Sequence, residues 1–465
     1  MGTSIRESDE RMNKTDNALG EKSIGKLLLG MAIPAIIAQL VNILYNIVDR
    51  IYIGHIPDIG ATALTGVGVT FPIIMVISAF SALIGMGGAP RAAIKMGEKD
   101  DEAAENILGN CFTALLVISA LLTIVFLFAN KPLLMMFGAS EETLPYALSY
   151  LNIYVCGTIF VQIALGLNSF ITTQGFSKIS MITVAVGATL NIILDPILIF
   201  GFDMGVEGAA IATVVSQGVS ALWVLRFLTG KRTKLKIRRK YMKLQRATIA
   251  PVMILGLSPF IMQSTESLLS IAFNTSLQRY GGDIAVGAMT ILMSLTQIQF
   301  MPIHGLCQGA QPIISYNYGA KNTDRVKATF RLLVISAFSY CTFIWLLMML
   351  LPGQFISLFS SQKELISYTS WALRIFMPIA FLMSMQTCCQ QTFLALGQAK
   401  VSILLALLRK MILLIPLIYI MPVFFEDKVF AIFFAEPVAD FIAVTVTITT
   451  FAFRFKKILD DREPV

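Results

Sequence analysis

Two aspartates stand inside apolar stretches of this chain, and each has amide, hydroxyl or phenol side chains about one helical turn away. Asp195 lies in the run Met181 to Phe200, with Asn191 four residues before it. A carboxylate at that depth in a lipid-length segment costs about 3 kcal/mol or more, so such residues face a protein interior and handle an ion, a proton or a substrate. Asp49 sits in NILYNIVDRIYIG, with Asn42 and Tyr45 on nearly the same helix face. Thr213 adds a hydroxyl in GAAIATVVSQ. Two carboxylates with amide and hydroxyl oxygens make a hard-oxygen site suited to Na⁺, or a carboxylate pair that shares a proton. The alternative is a polar knot that ties helices together. Two buried acids cost more than such a knot returns, which favours function. Pro196 follows Asp195 and can free a backbone carbonyl for a cation. Arg50 points about 100° away from Asp49 and need not neutralise it.

The elements that must position these groups are transmembrane helices. The 465 residues are 56% hydrophobic and 14% charged, with mean hydropathy +0.75, whereas a soluble domain is nearer a quarter charged. Apolar stretches of about 20 residues, enough to span a bilayer, recur along the whole length. Twelve spans are expected, at 27–53, 62–88, 108–129, 145–171, 179–200, 208–228, 248–277, 284–311, 330–351, 367–394, 401–421 and 429–453. With the first 26 residues inside, 28 Lys/Arg fall on the cytoplasmic side and four (Lys131, Arg279, Lys363 and Lys428) outside. That bias puts both termini in the cytoplasm of a cell-membrane protein. The net charge of +8 is concentrated between Arg226 and Arg246, with ten Lys/Arg and no acid. The core of this run, residues 230–246, has one aromatic and no recognisable fold, and reads as a membrane anchor, not a nucleic-acid site. The polar first 22 residues do not read as a signal peptide. The six cysteines have no CxxC spacing and read as free thiols.

The chain repeats at a spacing of 222 residues. Gly60, Gly87, Pro90, Gly97, Lys99, Gly175, Lys178 and Ser180 map to Gly282, Gly309, Pro312, Gly319, Lys321, Gly397, Lys400 and Ser402. Six spans per copy is an even number, so the copies enter the membrane in one direction and are related by a two-fold axis along its normal. The expected fold is an all-α polytopic membrane protein with an N-terminal bundle (27–228), a basic linker (229–247) and a C-terminal bundle (248–453). Short cytoplasmic segments (1–26 and 454–465) complete it.

Tyr45-x-x-x-Asp49 in span one, Asn191-x-x-x-Asp195 in span five and Thr213 in span six resemble the N-lobe cation site of MATE (multidrug and toxic compound extrusion) transporters. The resemblance covers nearly the whole chain, includes the GFSK and GQAK turns, and is strongest to the bacterial DinF-like, MepA-type branch. It implies two six-helix bundles and antiport, in which Na⁺ or H⁺ enters while amphipathic, often cationic, compounds leave. No cofactor beyond the coupling ion, no enzyme activity and a monomeric state are expected. The partners are a small organic substrate and the bilayer.

The second half does not duplicate the acids, since Leu413 and Leu417 occupy the positions equivalent to Asn191 and Asp195. Glu266 in span seven stands where another branch uses a glutamate, but Arg374 replaces that branch's span-ten aspartate. Glu266 therefore reads as a coupling residue or as half of an ion pair with Arg374 or Arg409. Glu436 and Asp440, at i and i+4 in the last span, either attract a cationic cargo or pair with Arg409 or Lys410. His55 and His304 are far apart and make no metal site, and His304 is expected to be a satisfied interior residue. Without GxxxxGK[ST] a built-in ATP motor is not expected. GVGVTF and GMGGAP have no preceding strand and read as close helix packing or a flexible helix end. Two alternatives remain. A lipid-intermediate flippase would need more intramembrane bases than acids. An aspartyl protease dyad would need a Gly-x-Gly-Asp signature that is absent here.

Overall fold

The computed structural model describes residues 19–460, which are helical apart from short connections. The first half contains α1 (Ile24–Gly54), α2 (Gly60–Gly97), α3 (Asp101–Met136), α4 (Leu144–Cys156), α5 (Thr158–Thr173), α6 (Ser177–Pro196) and α7 (Gly205–Thr229). The second contains α8 (Arg246–Gly319), α9 (Thr323–Leu350), α10 (Pro352–Ser357), α11 (Lys363–Phe376), α12 (Met383–Ala395), α13 (Ala399–Leu407), α14 (Ile415–Phe424) and α15 (Lys428–Asp460). Among the described residues, nine helices are long and apolar enough to cross a membrane, and two bent pairs bring the number to eleven. The 74-residue α8 is in fact two spans. Gly282, at φ 66° and ψ −162°, breaks it, a backbone region that glycine enters at little cost. The arms run antiparallel: Val252 and Gly256 lie against Gly87, while Tyr316 and Gly319 lie against Gly97 and Ile94, all near one end of α2. The protein is a multi-pass helical membrane protein.

Two expected single spans are bent. Span four is α4 and α5, meeting at 57°, and span ten is α11 and α12, meeting at 54°. At the first bend Gly157 has the Val214 methyls 2.5–2.7 Å from where a Cβ would lie. The second contains Pro378, which cannot donate to the helix ladder. Hydropathy reads the depth of a segment and not its direction, so neither bend shows in it. Observed helices also run past the expected boundaries; α2 extends to Gly97 where the apolar run ends near residue 88. The expected placement of residues 1–18 and 461–465 lies outside the described residues.

The 222-residue spacing reappears in the backbone. Lys99 and Lys321 take left-handed φ of 61° and 58°, and Gly175 and Gly397 take 88° and 72°. The next residues cap the following helices alike: Asp100 accepts from the Ala103 amide at 3.0 Å and Asn322 from the Arg325 amide at 3.4 Å.

The segment after α7 is a fixed strap, not a loose tether. Gln174 Oε1 accepts from the Thr233 hydroxyl and from the Lys234 and Leu235 amides at 2.8–2.9 Å, while its amide donates to Phe170. Arg238 and Lys236 bind Glu105, and Lys234 pairs with Asp101. The Tyr241 hydroxyl and the Lys240 ammonium both donate to Glu102, holding its carboxyl below the usual range. Asp101 and Glu102 occupy the first turn of α3, where the helix dipole also favours negative charge. Gln174→Ala would strand buried amides at a cost of about 1–3 kcal/mol. A lower melting temperature in detergent is the expected result, and an unchanged one would show that the strap is not structural.

The halves meet at the end of the molecule carrying this strap. A Cβ on Gly87 would lie 2.2 Å from the Val252 carbonyl oxygen, and one on Gly256 1.7 Å from that of Leu83. A Cβ on Gly97 would lie 2.0 Å from the Tyr316 carbonyl oxygen, and one on Gly305 or Gly309 2.6 Å from Ile36 or Ala32. Small residues let helices touch backbone to backbone, the usual way to pack where no water drives association. The Phe80–Phe260 edge contact, with centroids 5.0 Å apart, lies on the far side of the Gly87–Gly256 crossing. Further out, Glu266, Ser270 and Asn274 on α8 are exposed, and the last two line a cavity between the arms of α8.

Candidate ion and substrate site

Local sequence explains how Asp195 comes to face inward. Pro196 removes the amide that would have bonded Ile192, and the chain continues as a wider π-helical turn, Ile197–Gly201. Such turns are frequent at functional sites. Gly187, on α6, has Ser220 Oγ 2.4 Å from its would-be Cβ. That hydroxyl donates to the Thr183 carbonyl at 3.1 Å, locking α6 against α7.

The site residues of the first half converge. Asn191 Nδ2 donates to Asp195 Oδ1 at 3.1 Å and to Thr213 Oγ1 at 3.4 Å. The carboxyl of Asp49 lies within hydrogen-bonding reach of that of Asp195, and Tyr45 stands beside both. Asp195 is 0% and Asn191 1% exposed. Three buried oxygens, Asp49 Oδ1, Asn191 Oδ1 and Asp195 Oδ2, have no hydrogen-bond partner. Unpaired buried acceptors are costly, and oxygens left open together fit a small cation or a proton shared between carboxyls. Arg50 does not neutralise Asp49 by pairing; its guanidinium lies 5.2 Å over the Phe71 ring.

A cavity of about 50 Å³ extends from Asn191 and Thr213 past Asn42 and Tyr45 to Asn168, Thr183, Ser216, Gln217 and Ser220. It holds a few water-sized guests, not a drug-sized one. Sequence reading missed Tyr150, which is buried and within hydrogen-bonding reach of Thr213. It also missed Asn168. Tyr150 lies on α4, in a stretch rich in tyrosine, and its spacing alone gave no signal; its ring stacks on Tyr154 at 6.2 Å.

In the second half Glu266 pairs with Lys410 and with neither Arg374 nor Arg409. Arg374 lies exposed on α11. The partner is Lys410 because the π-helical turn Leu408–Leu414 directs neighbouring residues to different acids. Arg409 Nε binds Asp440 at 2.7 Å and its NH2 binds Glu436 at 2.9 Å. Lys410 takes Glu266 and the Met262 carbonyl. Glu436 and Asp440 therefore pair with Arg409 alone. His304 lies inside the bundle near Glu266 with accessible surface on its side chain, whereas His55 Nδ1 bonds the Ile51 carbonyl. None of the second-half acids joins the Asp49–Asp195 site.

Comparison with known proteins places this geometry in a family. The MatE sequence family matches the chain twice, over residues 34–197 and 259–420. The chain belongs to the MatE family. It is 27% identical over 432 residues to the multidrug export protein MepA of Staphylococcus haemolyticus, covering 92% of this chain and 94% of that one. It is 26% identical over 411 residues to MepA of Staphylococcus aureus strain MSSA476, covering 87% and 89%. A MATE crystal structure in the bent conformation superposes with TM-score 0.90 at 24% identity, over 97% of this chain and 99% of that one. An outward-facing MATE family transporter superposes with TM-score 0.88, also at 24% identity, over 96% and 98%.

Proposed function

We propose that this protein is a secondary antiporter that exports amphipathic, cationic compounds in exchange for Na⁺ or H⁺. The observation that carries the reading is the convergence of Asp49, Asn191, Asp195 and Thr213 with three unpartnered oxygens in an apolar bundle. Multidrug export by the MepA relatives supplies the cargo class. Tyr45 and Asn42 line the adjoining cavity and help to hold the ion or its water. The strap-bearing end, with its dense Lys/Arg, is cytoplasmic. The glycine contacts close that end, and the opposite end opens outward. The two halves, 27–228 and 248–453, rock about those contacts. Loading the ion favours one state and cargo the other, so each ligand expels its rival by differential affinity for the two states.

Proteoliposomes loaded with an organic-cation dye test this. Dye export is expected when either a Na⁺ or a pH gradient is imposed in the antiport direction, and none without a gradient. The effective gradient identifies the coupling ion. Export at equal rates with neither gradient would refute antiport.

A further inference from the structure

We propose that residues 19–22 are a detachable clasp, which docks on the second half, holds the cytoplasmic end shut and lets go each time that end opens. The proposal goes beyond antiport and takes from it only the rocking of the halves. Leu19, Gly20 and Glu21 are helical, just ahead of α1. The Leu19 carbonyl accepts from Asn317 Nδ2 on α8 at 3.0 Å and from an Arg325 guanidinium nitrogen on α9 at 3.1 Å. The same nitrogen donates to the Lys22 carbonyl at 2.8 Å. The Leu19 side chain is 2% exposed and belongs to one buried apolar cluster with Ile313, Ile314 and Tyr318 of α8 and Val326 of α9. Leu27 and Leu28 at the base of α1 join that cluster, so the clasp anchors the cytoplasmic end of α1 as well as itself. All its partners on α8 and α9 lie in the second half, whereas the far end of α1 places Asp49 beside Asp195 in the first.

The repeat gives this turn an equivalent. Ser23 and Gln245, the residues immediately before α1 and α8, are 222 apart, and so are Leu19 and Tyr241. Tyr241 is also buried one turn ahead of its helix, and its carbonyl accepts from Asn110 Nδ2 on α3 at 3.2 Å. The same spacing relates α3 to α9, which begin at Asp101 and Thr323. The first helix of each bundle is therefore preceded by a buried residue whose carbonyl is held by a side chain of the other bundle. Two crossed ties close the cytoplasmic end from both sides. The strap is further pinned by Gln174 and Glu105 and is continuous with both bundles. The clasp leans on Asn317 and Arg325, so it is the tie that can release.

Its place makes release matter. A Cβ on Gly20 would lie 3.6 Å from the Tyr316 ring, and one on Gly97 2.0 Å from the Tyr316 carbonyl oxygen. The clasp thus sits against the residue of α8 that α2 crosses through Gly97. Parting α2 from Tyr316, with α1 moving as part of the first half, draws residues 19–22 off Asn317 and Arg325. Undocking bares a buried leucine and breaks charge-assisted hydrogen bonds. The clasp therefore favours the closed cytoplasmic end, by contacts that exist in that state and not in the other.

Pulsed electron resonance distances in the purified full-length protein in detergent test the clasp. One pair of spin labels is placed at positions 99 and 321, at the cytoplasmic end, and another at 141 and 363, at the outer end; all four positions are exposed. Leu19→Asp forces a charge into the apolar seat. Arg325→Ala removes the guanidinium from both carbonyls at a half-buried position, so it keeps the test open if the first variant folds poorly. Each is expected to raise the ratio of cytoplasm-open to cytoplasm-closed molecules by roughly tenfold, as loss of a contact the size of one buried leucine should. The 99–321 distance then lengthens and the 141–363 distance shortens. Wild-type distances in both variants would overturn the clasp. Lengthening at 99–321 without shortening at 141–363 would also overturn it, because that is local loosening and not a switch. Reciprocal changes in a protein that exports nothing under either gradient would uphold the clasp and refute antiport.

Discussion

Asp195→Asn is expected to abolish ion-coupled efflux while leaving the protein folded. An asparagine can neither release a proton nor present a negative charge to Na⁺, yet it has the same shape and still accepts the Asn191 amide that now lies 3.1 Å from Oδ1. Removing an intramembrane charge also removes a cost of about 3 kcal/mol, so the variant should melt at the same temperature or higher. Coupling energies of about 1–3 kcal/mol correspond to a 5–150-fold difference between ion-loaded and ion-free affinity. Gradient-driven export should therefore fall to the ungated leak. Transport assays beside thermal melting separate the two effects, and wild-type rates in a folded variant would refute the role of Asp195. The second half contains no equivalent acid pair, so it should not rescue the variant.

Gly256→Leu is expected to prevent the strap-bearing end from closing. The position for a Cβ lies 1.7 Å from the Leu83 carbonyl oxygen and 2.6 Å from its carbon. Both are backbone atoms of the opposite half, so no rotamer change relieves the clash. The halves must part, at an overpacking cost of about 1–3 kcal/mol in this conformation. On the proposed rocking motion the other conformation lacks the contact and should gain population. Spin labels at positions 99 and 321, exposed turns on either side of the junction, should report a longer mean distance, and export should stop. Unchanged distances and wild-type export would mean that the Gly87–Gly256 crossing is not a moving contact.

Much of this protein was legible in its sequence, for identifiable reasons. Asp49, Asn191, Asp195 and Thr213 could be read because a polar group in lipid has few innocent explanations, and helical spacing assigns it a face. The repeat could be read because its turns demand particular backbones: Gly175 and Gly397 both occupy left-handed φ. Tyr150 escaped because a tyrosine at a membrane-helix end is ordinary and its partner, Thr213, is more than sixty residues away in sequence. Glu266 was assigned the wrong basic partner because the π-helical turn at Leu408–Leu414 shifts which side Lys410 presents, and an ideal helix of 3.6 residues per turn does not encode it. The bends at Gly157 and Pro378 escaped because hydropathy is blind to helix direction. In the last two failures a backbone irregularity overrode periodicity.

The central claim is that ion and cargo compete through the Asp49–Asp195 site. Ethidium affinity of the purified protein, measured across Na⁺ concentration and pH for the wild type and for Asp195→Asn, tests it most directly. The wild type should bind the dye more weakly as Na⁺ or H⁺ rises, and Asp195→Asn should bind it with an affinity that neither ion changes. Equal ion dependence in the two proteins would contradict the claim.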